Sequence, residues 1–293
     1  MTNSLQVGKT PLLNLEIDGV MIWGKAEFMN PSGSVKDRPL QNILIRAVEN
    51  GLLKEGGTVV EATSGNAGIS LAMYCAQQGY KCVIVMPSNM SEERKQMLRL
   101  YGAELIEVGP GDFDGAIKLR NELSEKNGWY NSNQFESPWN LEAHREGTGV
   151  ELMYQCESLC FEPSAFVSGT GTGGTLMGAG ETLKNQYPNM KIVAVEPAES
   201  PVMSGGQPGL HGIQGIGDGS KFMVDLSFVD TIMVVSTEDA KHMARRLAKD
   251  YGIFIGISAA ANVLASVEYG HKFGVTNILT ILCDRGERYL SMI

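Results

Sequence analysis

The sequence predicts an α/β protein of two lobes, each a mainly parallel sheet flanked by helices. Two patterns predict it. From residue 58 onward, short β-branched runs alternate with stretches of helical period, as βαβ units require. A turn-rich segment over 131–140, with Pro138, separates one such series from a second. At 293 residues and 43% hydrophobic, the chain is long enough to bury two cores of this kind.

In the first series, 58–60 reads as a strand, 66–78 as a helix, 82–86 as a strand, 91–101 as a helix, 105–108 as a strand and 112–126 as a helix. Ser91, followed by Glu92 and Glu93, is an N-cap with acids where the helix dipole favours them. In the second series, 165–168 reads as a strand, 175–185 as a helix, and 192–195 and 229–235 as strands. Helices over 238–250 and 258–269 and a last strand over 278–283 complete it. The stretch 199–220 is glycine-rich and aperiodic, and loops that long in a compact domain are usually functional or mobile. There is no internal repeat.

Composition removes several function classes. Lysine and arginine total 24 against 33 acids, a net charge of −9 with no basic block, so a nucleic-acid partner is disfavoured. Apolar runs stop well short of the roughly 20 residues that span a bilayer, so no membrane association is expected. Residues 1–10 lack the basic and apolar regions of an export signal, which makes the cytoplasm the expected address. The five cysteines, Cys75, Cys82, Cys156, Cys160 and Cys283, are odd in number and scattered, and fit reduced thiols better than a disulfide framework. Cys156 and Cys160 lack a second ligand pair, and no metal site is expected.

Four segments carry chemistry. In the first, Asn30-Pro31-Ser32-Gly33-Ser34-Val35-Lys36-Asp37-Arg38, a turn precedes a helix capped by Ser34, with Lys36 in the first turn. Taken alone it is an ordinary helix start with a solvated lysine. A cation there is opposed by the dipole, however, and a desolvated amine favours its neutral, nucleophilic form, which is able to form a Schiff base. The second, Glu61 to Gly68, turns from strand to helix, where free N–H groups and the side chains of Thr63, Ser64 and Asn66 suit a carboxylate. An ordinary capped helix start reads the same way.

The third segment, Gly169-Thr170-Gly171-Thr172-Gly173-Gly174-Thr175, follows a strand and opens a helix. Its glycines allow close approach, and its N–H groups with Thr172 and Thr175 make a phosphate cradle. The same glycines match the dinucleotide fingerprint, and Glu196 lies about 20 residues on, where a ribose-binding acid belongs. An NAD-dependent dehydrogenase is therefore an alternative, although it explains neither Lys36 nor the Thr63–Asn66 loop. His144, His211, His242 and His271 are scattered and read as surface or packing residues. The fourth segment, Gly256 to Ala261, places Ser258 at a helix start, either as a cap or as a hydroxyl able to bond a pyridine nitrogen without charging it.

In this order the four segments resemble the cysteine synthase family, the O-acetylserine sulfhydrylases and their cystathionine β-synthase relatives, over nearly the whole chain. Supporting stretches include Met86 to Ser91, Tyr101 to Leu105, Asn133-Gln134-Phe135, Gly215 to Gly217, and the ending Cys283 to Ser291, which is closer to the B-type synthases. The resemblance implies fold type II, the tryptophan synthase β-like architecture, with pyridoxal 5'-phosphate as cofactor. It implies a smaller, mobile lobe over 35–141 with the substrate-carboxylate loop, and a larger lobe of 1–34 plus 142–293 with the phosphate loop.

Lys36 would hold the cofactor covalently and act as the catalytic base, and Asn66 would face the ring hydroxyl. Gly171, Thr172, Gly173, Gly174 and Thr175 would bind the phosphate, and Ser258 the ring nitrogen. Thr63, Ser64, Gly65, Asn66 and Gln134 would hold the substrate carboxylate. The implied reaction is β-replacement, forming L-cysteine from O-acetylserine and a sulfur donor through an α-aminoacrylate. Homodimerisation and docking of serine acetyltransferase are also implied. Three departures stand out: Ala67 replaces a threonine, Ala259-Ala260 replace serine and glycine, and Asp218 replaces a small uncharged residue. A carboxylate at 218 is either a solvated turn residue or an activator of water or a thiol. In the second case the enzyme would be a cysteine-consuming β-lyase or β-replacement enzyme that releases hydrogen sulfide. No regulatory tail or haem domain is expected after Ile293.

Overall fold

The computed structural model describes residues 5–63, 65–217 and 219–293. In chain order the elements are β1 (Leu12–Ile17), β2 (Val20–Lys25), α1 (Asp37–Glu49), β3 (Thr58–Ala62), α2 (Asn66–Gln78), β4 (Lys81–Pro87), α3 (Glu92–Leu100), β5 (Glu104–Val108), α4 (Phe113–Asn127) and β6 (Tyr130–Asn131). Helix α5 (Pro138–Ala143) runs through a π-helical turn (His144–Gly149) into α6 (Val150–Ser158). Then come β7 (Ala165–Gly169), α7 (Gly174–Gln186), β8 (Lys191–Pro197), β9 (Thr231–Val235), α8 (Thr237–Tyr251), α9 (Ile257–Phe273) and β10 (Ile278–Ile281). Among the described residues no helix is long and apolar enough to cross a membrane.

The chain divides into two compact units, one of Lys36–Asn140 with residues 5–7, the other of Gly8–Val35 with Leu141–Ile293. The first holds a four-stranded, all-parallel sheet in the order β5-β4-β3-β6. Both faces of its central strand β4 are covered, so that strand is apolar on both sides after Lys81. Ile84 and Met86 meet Leu40, Leu44, Ile69 and Leu98 of α1, α2 and α3, whereas Val83 and Val85 meet Ala116 of α4.

The second unit holds a six-stranded sheet in the order β1-β2-β10-β7-β8-β9, antiparallel only between β1 and β2. Phe166, Ile192 and Ile281 face Leu152 of α6 and Leu176 of α7; Val167 and Val193 face Leu247 of α8 and Val263 of α9.

Two local features differ from the sequence expectation. Helix α1 starts at Asp37 with Lys36, not Ser34, at its N-cap, and Ser34 instead forms an isolated antiparallel bridge with Asp284. Likewise α9 is entered through Gly256 as N-cap, so Ser258 lies inside the helix and not at its cap. Ser91 does occupy the N-cap of α3, but its hydroxyl makes no capping bond. In Glu199–Ser220, the described residues form neither helix nor strand.

Candidate functional site

In the first unit, the residues expected to hold a carboxylate converge on the C-terminal end of β3. The Thr63 amide donates to Val85 O at 3.1 Å, and Thr63 Oγ1 accepts the Gly65 amide at 3.2 Å. Helix α2 begins at Asn66, so the amides of its first turn face outward from the strand end. Ser64 lies outside the described residues.

Gln134 is distant in sequence, and a buried carboxylate brings it to this strand end. Glu61, fully buried in β3, accepts from the Gln134 amide at 3.0 Å, Ser132 Oγ at 2.7 Å and Arg120 Nη1 at 2.8 Å. A buried carboxylate needs such partners, because unpaired it would lose its hydration without compensation. The Gln134 side-chain amide, 3% exposed, has no hydrogen-bond partner among the described residues, so its donors are available. Glu61 and Arg120 had no role in the sequence reading, although an acid inside an apolar strand run is the signal that marks such a hub.

Lys36 belongs to the same unit. It is half-buried at the N-cap of α1, and its neighbour Asp37 accepts Ser70 Oγ at 2.5 Å. Ser70 is one turn beyond Asn66, so this bond sets the starts of α1 and α2 side by side and brings Lys36 and Asn66 to one end of the helix pair.

In the second unit, the glycine-rich loop joins β7 to α7, with Gly173 as the N-cap. Thr172 Oγ1 accepts the Gly174 amide at 3.3 Å, and Thr175 is half-buried in the first turn. Asn262 of α9 positions this loop. Its Oδ1 accepts the Gly169 amide at 2.7 Å and its Nδ2 donates to Ile281 O at 2.9 Å, linking the ends of β7 and β10. Ser258 lies one helical turn before Asn262 and therefore on the same face, above those strand ends.

These residues fit pyridoxal phosphate. Ser258 is 3% exposed, and its hydroxyl has no hydrogen-bond partner among the described residues, as expected of a group reserved for a ligand atom. The phosphate loop offers helix N-terminal amides and two hydroxyls, a donor set suited to a dianion.

The dinucleotide alternative loses its ribose ligand. Glu196 is 2% exposed and accepts the amides of Met203 at 2.7 Å and Ser204 at 3.0 Å, together with the Ser204 hydroxyl. Its oxygens close a turn instead of facing a cleft. Of the histidines, His242 and His271 are exposed, whereas His144 is buried against Thr175 at 3.2 Å, a polar contact that the sequence reading missed. Asp218 lies outside the described residues.

Known proteins are similar to this chain in sequence and fold. The family model described as pyridoxal-phosphate dependent enzyme matches residues 4–284. A cysteine synthase of Staphylococcus aureus is 44% identical over 293 residues, covering 97% of this chain and 94% of that protein. The crystal structure of a hydrogen sulfide-producing enzyme from Fusobacterium nucleatum matches with a TM-score of 0.93 at 38% identity, covering 99% of this chain and 100% of that one. A cysteine synthase from Entamoeba histolytica matches with a TM-score of 0.89 at 40% identity, covering 98% and 88%.

Proposed function

The chain belongs to the pyridoxal-phosphate-dependent enzymes, of fold type II, and within that family we propose that it is a cysteine synthase. It forms L-cysteine from O-acetylserine, or a related activated serine, and a sulfur donor. The observation that carries this reading is the 44% identity to a cysteine synthase along nearly the full length of both chains.

When bound, pyridoxal phosphate supplies an electron sink that acidifies the α-carbon of an amino acid joined to it. This chain's residues do the rest. The Lys36 amine would hold the cofactor and, as a neutral base beside the substrate, would take the proton from Cα. Asn66 would orient the ring by hydrogen-bonding the ring hydroxyl. Gly171, Thr172, Gly173, Gly174 and Thr175 bind the phosphate. Thr63, Ser64, Gly65, Asn66 and Gln134 would bind the substrate carboxylate, and closure of that loop would exclude water from the reacting carbons. Ser258 donates to the ring nitrogen without charging it, which weakens the sink and favours departure of the β-substituent over transamination.

A second reading is release of hydrogen sulfide from cysteine. The resemblance to a hydrogen sulfide-producing enzyme favours it, as does the carboxylate of Asp218, which would activate water or a thiol. Steady-state rates with O-acetylserine plus sulfide, against cysteine alone, separate the two. Synthesis should dominate, Asp218→Asn should leave it largely intact, and Lys36→Ala should lower it by about 10³-fold or more in a folded protein. Dominant cysteine turnover that collapses in Asp218→Asn replaces the first reading with the second. A homodimer and docking of serine acetyltransferase belong to the same proposal and rest on the resemblance alone, and a cytoplasmic address rests on the composition of residues 1–10.

A further inference from the structure

Helix α5 passes into six residues of π-helix, His144–Gly149, before α-helical pitch resumes in α6. Such turns are rare and recur at functional sites. Helix α7 packs directly against this one. A Cβ on Gly178 would stand 2.9 Å from His144 Cβ, and one on Gly149 would stand 2.7 Å from Thr182 Cβ, so glycine at both positions lets the two backbones approach. That approach brings the His144 ring, 1% exposed, to the first turn of α7. Its Nε2 is 3.2 Å from Thr175 Oγ1, and its Nδ1 is 2.9 Å from Thr148 Oγ1.

We propose that His144 is a positioning residue that holds the Thr175 hydroxyl as a donor toward the cofactor phosphate. The inference rests on the reading of Gly171 to Thr175 as the phosphate loop. A threonine hydroxyl has one proton, and if that proton points at an imidazole nitrogen it cannot also serve an anion. With the proton of a neutral ring on Nε2, the ring donates to Thr175 Oγ1 and leaves the hydroxyl proton to the phosphate. Nδ1 then accepts from the Thr148 hydroxyl, which is fully buried behind the ring. The other tautomer reverses both bonds and draws the Thr175 proton away from the ligand.

The tautomer is read directly by ¹⁵N NMR of the histidine-labelled holoenzyme, with His144 assigned by loss of its signals in His144→Gln. Protonation on Nε2 is expected, and protonation on Nδ1 overturns the proposal. The second measurement is the dissociation constant for pyridoxal phosphate, obtained by reconstituting apoenzyme whose fold is checked by circular dichroism. Thr175→Val and His144→Leu should each weaken binding about tenfold, the pair together no more than either alone, and His144→Gln within about threefold of wild type. If Thr175→Val weakens binding and His144→Leu does not, or if the two losses multiply, the relay is wrong. If Thr175→Val has no effect, the phosphate-loop reading itself is wrong. Should His144→Leu fail to fold, the tautomer of the wild-type holoenzyme decides alone, and protonation on Nδ1 overturns the relay.

Discussion

Ser258 and Asn262 occupy one face of α9, a turn apart and both buried, yet they do different work. Asn262 uses its oxygen and its amide within the protein, so Asn262→Ala leaves the Gly169 amide without its acceptor and the Ile281 carbonyl with only the weak Cys283 thiol as donor, and should destabilise the fold by about 1–3 kcal/mol. The Ser258 hydroxyl bonds nothing among the described residues. Ser258→Ala therefore removes no internal hydrogen bond and adds a better helix former, so apoenzyme stability should stay within about 0.5 kcal/mol of wild type. Its effect should appear only in the loaded enzyme, as a shifted cofactor absorbance and a turnover roughly tenfold lower. Urea denaturation of the two apo variants, beside spectra of the loaded Ser258→Ala form, checks both halves. A large stability loss in apo Ser258→Ala would make that hydroxyl structural.

Among the elements, the β1–β2 hairpin is the part of the fold that the sequence reading passed over. Its turn is Asp18-Gly19, with φ of 51° and 79°, the left-handed pair that matches strand twist in a two-residue hairpin. The Asp18 carboxylate accepts two 2.7 Å bonds from Arg246 of α8, and the Asp18 carbonyl lies 2.8 Å from His271 Nε2 of α9. An added Cβ at Gly19 meets nothing within 4 Å, so Gly19→Ala carries only the conformational cost of left-handed backbone, about 1 kcal/mol, read as a lowered urea midpoint. The bond from Arg246 holds the Asp18 carboxyl below its usual range. Its stabilisation is full above the ordinary carboxylate pKa and disappears as pH falls through the lowered one. Asp18→Asn should accordingly lose less stability than wild type between about pH 5 and 3, and less distinctly in high salt.

The Asp-Gly signal was present in the sequence, but β1 is an edge strand whose outer residues, Asn14 and Glu16, dilute its apolar run. By contrast α2 falls on the expected bounds 66–78, since a buried helix stopped by Gly79 in the left-handed region carries its limits locally. The π turn at His144 was not legible, because packing against α7 accompanies it and no local residue pattern marks it. The hub at Glu61 was half legible. The acid is visible in its strand, but its partners Arg120, Ser132 and Gln134 are joined to it only by folding.

At the scale of the whole molecule, the cofactor should act as a stabilising ligand, since the residues proposed to hold it are gathered only by folding. A ligand that binds the native but not the unfolded chain stabilises it by RT ln(1 + [L]/Kd), about 2.7 kcal/mol at a hundredfold excess over Kd. Unfolding entropy of about 2.1 cal/mol/K per residue makes that roughly a 4 °C rise in Tm if all 293 residues melt together. Resolution of apoenzyme and calorimetry with and without pyridoxal phosphate measures the rise. Pyridoxal, which lacks the phosphate, provides the decisive control at the same concentration. If Gly171 to Thr175 and the α7 amides bind the dianion, pyridoxal loses those charge-assisted bonds and should give less than about half the shift. Equal shifts from the two compounds would mean that the glycine-rich loop serves something other than the phosphate. No shift from either would remove the cofactor, and with it the roles assigned to Lys36 and Ser258.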